Sequence, residues 1–190
     1  KLIDLVRALV GHFRGGLAYV VVLVAMILSA ILGSANAVAA ILCAVIVPEM
    51  IHDGYRDDFS AALVCASGVL GPVIPPSVTF VYFSVLSGVS VTAMFMGGAI
   101  PGILIGLGYI IIIRMQTKRL DLPRSTESFN LGTLLTAFVK AIPALLVPLI
   151  LVAGITLGIF TPSESGAVAV AAAIAAGLIY RKFKITMLPS

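Results

Sequence analysis

The stretch Ser67-Gly-Val-Leu-Gly-Pro-Val-Ile-Pro-Pro-Ser77 holds the residues of this 190-residue chain best placed to do chemistry. It lies inside an uncharged apolar run, residues 59–113, yet carries two glycines and three prolines. Pro72, Pro75 and Pro76 have no amide hydrogen, so the carbonyls of Gly68, Gly71 and Pro72 lose their usual helical partners. A bare carbonyl in hydrocarbon costs several kcal/mol and survives only where it is buried in protein or lines a wet cavity. Three freed oxygens so close together could be satisfied by a small cation. The helix ending near Gly68 turns its negative end to the gap, and a helix capped by Ser77 turns its positive end to it. A cation and a carboxylate could meet there. The competing reading is a proline-kinked helix whose carbonyls are met by a neighbour or by water, and this stretch alone leaves both open.

A second interruption, Gly33-Ser-Ala-Asn36, falls in the middle of residues 15–48, which contain no charge. As one helix that run would be about 50 Å long, against roughly 30 Å of hydrocarbon. Gly33 can end a helix in the left-handed conformation, and Ser34 or Asn36 can cap the next. Two arms of about 15 residues, some 20 Å each, would then form a hairpin that enters and leaves on one side. A single tilted span with small residues for packing is the alternative. Asn36 at the centre favours the hairpin.

Other candidates carry less. Glu49, His52, Asp53 and Asp57 could be read as a metal set, but nothing in their spacing forces them together, and solvation and docking are the expected roles. Glu164 reads as the carboxylate of a capping box with Thr161. His12 is expected to be exposed or interfacial with no partner, and Cys43 and Cys65 to be buried reduced thiols. There is no nucleophile–base pair, HExxH, P-loop or carboxylate dyad, so no enzyme is expected. With 61% hydrophobic and 11% charged residues, the chain lies far from soluble composition. It reads as an all-α integral membrane protein. The net charge of +4 is no nucleic-acid signal, because Lys and Arg sit at the edges of apolar runs.

The elements that must position the two interruptions follow from the pattern. Residues 1–14 are amphipathic and read as an interfacial or arm helix. Residues 15–47 form the hairpin, 48–58 a cytoplasmic loop, and 59–86 the broken transmembrane helix. Residues 87–117 make a turn and a spanning helix kinked at Pro101, with glycines for close packing. Residues 118–140 give a basic loop and a second interfacial helix over 130–140. Residues 141–160 span, bent at Pro143 and Pro148, and 161–184 span back to Arg181, Lys182 and Lys184. With the basic loops on the cytoplasmic side, 1–14 and 48–58 share that side only if 15–47 enters and leaves on it. A hairpin paired with a broken helix is the binding half of an elevator-type or inverted-repeat carrier.

Nearly the whole chain resembles the large membrane subunit, the dicarboxylate-type M subunit, of tripartite ATP-independent periplasmic (TRAP) transporters. The resemblance is carried by Gly33-Ser-Ala-Asn-Ala37, Pro48-x-Met50 with Gly54-Tyr55, Phe59-Ser-Ala-Ala62 and the stretch from Ser67 to Ser77. Val89-Ser90 before Met94-Phe95, Gly98-x-x-Pro-Gly102, Gly158-Ile-Phe-Thr-Pro-Ser-Glu164 and Ala167-Val-Ala-Val170 continue it. It implies sodium-driven uptake of organic carboxylates (C4-dicarboxylates, sialic acid or related acids) across the bacterial or archaeal cytoplasmic (inner) membrane. It also implies a periplasmic substrate-binding protein, a small Q-type membrane subunit that is associated or fused, and Na+ as coupling ion without other cofactors. The family's subunit has two inverted repeats; this chain matches one repeat and the start of the second, as a fragment would. Carried over, Gly33, Ser34 and Asn36 form the hairpin tip, and Ser67, Gly68, Gly71, Pro72, Pro75, Pro76 and Ser77 the broken helix. Na+ would be held by Ser34, Asn36, Gly68 and Gly71, mostly through backbone carbonyls, since Leu32 departs from the commoner tip pattern. A sodium/anion carrier without a binding protein, a channel-type pore and a structural subunit stand as alternatives.

Overall fold

Val38, Leu42, Ile46 and Met50 recur every fourth residue and are all fully buried. That stripe carries a helix straight past Pro48, which the sequence reading places at the start of a loop. In the computed structural model, which describes residues 1–123, 130–159, 161, 164, 167, 168, 170–172, 174 and 177, this helix runs to His52. The described elements are α1 (Leu2–Val10), α2 (Gly16–Leu32), α3 (Ala35–His52), α4 (Asp57–Gly68), α5 (Val78–Ser87), α6 (Val91–Arg119) and α7 (Leu131–Thr156). Three of them, α3, α6 and α7, are long and apolar enough to cross a membrane. The expected loop over 48–58 shrinks to the few residues between α3 and α4.

The helix α2 is the centre of the bundle. Its first ten residues are almost all buried, with Ala18, Val20, Val21, Val22 and Ala25 fully so. A helix apolar on every side must be enclosed by protein or lipid, and here α1, α3, α4, α6 and α7 all pack on it. The arms of the hairpin are 17 and 18 residues long, somewhat more than the pattern suggests.

Both open ends of that hairpin lie together. Tyr55, just past α3, is buried in the same apolar cluster as Leu17, Ala18 and Tyr19 at the start of α2. Arg7 of α1 pairs with Glu49 near the end of α3 at 3.3 Å. The segment after α6 closes over the same end. Gly15 N–H donates to the Pro123 carbonyl at 3.0 Å, and Arg14 donates to the Leu122 carbonyl at 3.2 Å and pairs with Asp121. Residues 11–15, 53–56 and 120–123 therefore share one end of the bundle. Along α6, Gly106 meets Met26, Gly102 meets Ile74 and Gly98 meets Phe80, so α5 packs on the part of α6 beyond the broken stretch.

Two further expectations are corrected. No separate helix ends at Lys140, because α7 runs through Lys140, Pro143 and Pro148 without a break. Its buried residues Ala137, Ala141, Pro148, Leu151 and Ile155 form one face that crosses the expected boundary. Cys43 and Cys65 are free, as read, but exposed, not buried, because they lie off the packed faces of α3 and α4. His12 packs its ring 4.1 Å from that of Phe13, a neighbour the sequence reading did not give it. At Thr161 and Glu164 the capping box is made: Thr161 N–H donates to the Glu164 carboxylate at 2.7 Å, and Glu164 N–H to the Thr161 hydroxyl at 3.3 Å. Arg181, Lys182 and Lys184, and with them the expected end of the last span, lie outside the described residues.

Candidate functional site

Gly33 ends α2 with φ 60, and Ser34 starts α3 in an extended conformation with φ −138. The left-handed residue is where a side chain would be strained, and here there is also no space for one. A methyl group on Gly33 would stand 2.7 Å from the Pro76 carbonyl oxygen and 3.2 Å from the Val78 nitrogen. Gly71 repeats the arrangement from the other side. A methyl group there would stand 2.5 Å from the Ser34 carbonyl carbon and 2.7 Å from the Ala35 nitrogen. One at Gly68 would meet the Ala35 carbonyl and the Ala39 side chain at 3.1 Å. The two interruptions, more than thirty residues apart in sequence, are thus pressed backbone to backbone, each glycine admitting the other's chain.

Between α4 and α5 the chain runs as a series of turns over residues 69–77, so the spanning helix is broken and not merely kinked. Local bonding there differs from simple helical accounting. The Gly68 carbonyl accepts from Gly71 N–H at 2.9 Å. The Pro72 carbonyl accepts from the Ser77 hydroxyl at 2.7 Å. Two of the three oxygens expected to be free therefore have partners, because a tight turn and a side chain supply what the prolines withhold. The Gly71 carbonyl receives no hydrogen bond from the described residues. Ser77 accepts from Phe80 N–H at 3.3 Å, which caps α5 as its position predicts.

The remaining site residues divide. Ser34 makes no capping bond, so the first-turn amides of α3 keep their positive end open toward the seam. Pro75 and Ser67 are buried, and the Ser67 hydroxyl has no hydrogen-bond partner. Asn36 is exposed, on the side of α3 away from the buried stripe of Val38 and Leu42. Ser29, which the sequence reading passed over, is fully buried with an unpartnered hydroxyl, and its carbonyl accepts from Gly33 N–H. The available signal was a serine one turn before the tip of an otherwise apolar helix.

Chemically, the seam offers carbonyl and hydroxyl oxygens and two pairs of opposed helix ends. Among the described residues no group of three His, Cys, Asp or Glu is placed to hold a metal. Glu49 pairs with Arg7, Asp58 with Arg56 and Asp53 with His52, all at the open end of the hairpin. A neutral oxygen set suits a hard monovalent cation better than a soft transition metal. The amide-rich start of α3 suits an anion.

Residues 1–190 match the family model described as tripartite ATP-independent periplasmic transporter, DctM component. The chain is 40% identical over 189 residues to the 2,3-diketo-L-gulonate TRAP transporter large permease protein YiaN of Escherichia coli K12, covering 99% of this chain and 44% of that protein. It is 37% identical over 190 residues to the C4-dicarboxylate TRAP transporter large permease protein DctM of Pseudomonas aeruginosa, covering 100% of this chain and 44% of the relative. Over 169 residues it is 37% identical to the isethionate TRAP transporter permease protein DctMQ of Oleidesulfovibrio alaskensis, 89% of this chain and 27% of that one. The chain spans less than half the length of these curated relatives.

Proposed function

The chain belongs to the DctM family of TRAP transporters, and from that premise we propose that it builds one ion- and substrate-binding half of a sodium-coupled importer of organic anions. It is a permease component of the cytoplasmic (inner) membrane, a transporter and not an enzyme. The observation that carries the finer reading is the reciprocal seam, Gly33 against residues 76–78 and Gly71 against Ser34 and Ala35. Main chain without regular helical bonding is kept in an apolar bundle only where something else satisfies it. Sodium, drawn to the Gly71 carbonyl and the hydroxyls of Ser34 and Ser67, is that something in our reading.

The co-transported anion lies toward the uncapped start of α3, on the side that exposes Asn36. Relatives named for 2,3-diketo-L-gulonate, C4-dicarboxylates and isethionate have in common that each such molecule is an organic anion. That supports the class and leaves the individual substrate open. A periplasmic binding protein would deliver it, and a small Q-type subunit would stand beside the permease; the relative named DctMQ supports such a pairing.

For movement, the packing suggests an elevator. Helix α6 meets α5, the break before it and α2 at glycine-level distances: methyl groups on Gly98, Gly102 and Gly106 would strike Phe80, Ile74 and Met26 at 2.1, 2.7 and 2.5 Å. Against α7, by contrast, α2 offers only flexible apolar side chains along an open groove. The first group would travel as a body over the second.

The test is uptake by vesicles holding the full-length permease, its small subunit and its binding protein. Ser34→Ala and Ser67→Ala should each raise the half-saturating sodium concentration, by about tenfold for the loss of ~1.4 kcal/mol of ligand interaction. Sodium dependence unchanged in both variants would remove the site assignment.

A further inference from the structure

Leu122, just past the end of α6, is held from three sides, and the seam makes no use of it. Its N–H donates at 3.2 Å to the carbonyl of Thr117, in the last turn of α6. Its own carbonyl accepts from Arg14 Nε at 3.2 Å, just before α2. Its side chain is only 5% exposed and belongs to the apolar cluster built around α2. A methyl group on Gly15, the N-cap of α2, would stand 3.1 Å from that side chain. One residue thus joins the end of α6 to the start of α2.

Its neighbours reinforce the join. The Pro123 carbonyl accepts from Gly15 N–H at 3.0 Å. Among the described residues Asp121 alone, glycines apart, has left-handed backbone, with φ 46. Such a conformation persists where its surroundings over-determine it. An ion pair as exposed as Arg14–Asp121 contributes little. The buried leucine and the main-chain bonds beside it carry the hold.

We propose that Leu122 is a positioning residue: it pins the end of α6 to the start of α2, so that α6 moves with the hairpin as one body. A second tie lies farther along both helices, where Gly106 of α6 admits the Met26 side chain of α2. Two ties at separate heights stop helices of 17 and 29 residues from sliding past each other. The pin rests on geometry alone, and its effect on transport rests on the elevator reading.

The experiment uses the full-length permease, otherwise free of cysteine, with spin labels on Ile51→Cys in α3 and Met115→Cys in α6, both exposed positions. It is reconstituted with its small subunit and binding protein. Three readouts are taken: hydrogen exchange of the Gly15 amide, the separation of the labels, and maximal uptake rate against half-saturating sodium. In the parent, sodium and substrate should leave the separation unchanged. Leu122→Ala should speed Gly15 exchange about tenfold, broaden the separation and lower the maximal rate several-fold, with half-saturating sodium kept. Leu120→Ala, on the same segment but more exposed, should do none of these. Arg14→Ala removes the donor to the Leu122 carbonyl without touching the core, and should act as Leu122→Ala does even if that variant fails to fold. Unchanged exchange in both, or equal effects from Leu120→Ala, would overturn the pin. Faster exchange with separation and maximal rate unaltered would overturn its positioning role, as would a separation that shifts with sodium and substrate in the parent. If the parent permease needs no sodium, the functional reading falls, while exchange and label separation still uphold or overturn the pin.

Discussion

Gly71 has a hydrogen where any other residue would drive a carbon into the Ser34 backbone, 2.5 Å away. The obstacle is main chain and cannot rotate aside, so Gly71→Ala must open the seam. Overpacking of this kind costs about 1–3 kcal/mol. The expected outcome is full-length protein that still reaches the membrane but loses most sodium-dependent uptake, measured in vesicles at matched protein level. Ser77→Ala is milder: it removes an N-cap and the donor to the Pro72 carbonyl, a loss of about 1 kcal/mol of stability. A thermal-shift measurement on the purified permease reads it directly. At this scale the sequence was informative about which residues matter and less so about their partners. The prolines announce missing donors. That a turn would return Gly71 N–H to the Gly68 carbonyl depends on local backbone geometry, which residue types do not encode.

Among the elements, α2 and α3 were legible because an uncharged run too long for one span contains a single turn signal, Gly33 followed by Ser34. The prolines act differently in different settings, and Pro48 was the misleading one. Pro72, Pro75 and Pro76 with their glycines break a helix, whereas Pro48, Pro143 and Pro148 sit inside helices that continue. What separates the cases is the buried face on either side. Around Pro48 the stripe of Val38, Leu42, Ile46 and Met50 repays the single bond lost at the Ala44 carbonyl. Between Leu70 and Ser77 no such stripe exists, and two adjacent prolines remove two donors in succession. Leu42→Ala should accordingly cost about 2–5 kcal/mol, the usual price of truncating a fully buried leucine. Cys43→Ala, one position on and exposed, should change the melting temperature little. The two variants compared by thermal unfolding measure how far α3 depends on that one face.

Taken whole, the chain divides by the texture of its contacts. Where α6 meets α2 and α5, backbone approaches side chain so closely that sliding would require the helices to separate. Where α1, α2 and α7 meet, they leave a groove of about 590 Å³ lined by Leu9, Met26, Ile27, Leu134, Leu135 and Phe138 among others, without a polar atom. Interdigitated glycine contacts resist shear, and the apolar lining of this groove offers less resistance to one face moving over the other. An elevator built from this chain would therefore move at the α2–α7 boundary. In the full-length permease with Cys43 and Cys65 replaced by Ala, cysteines at Ile27 and Leu135 lie across that boundary. Joining them with a cleavable bifunctional maleimide should stop uptake, and cleaving the linker should restore it. Uptake that persists at complete cross-linking would mean that α2 and α7 travel together, and the moving boundary would have to lie elsewhere in the protein.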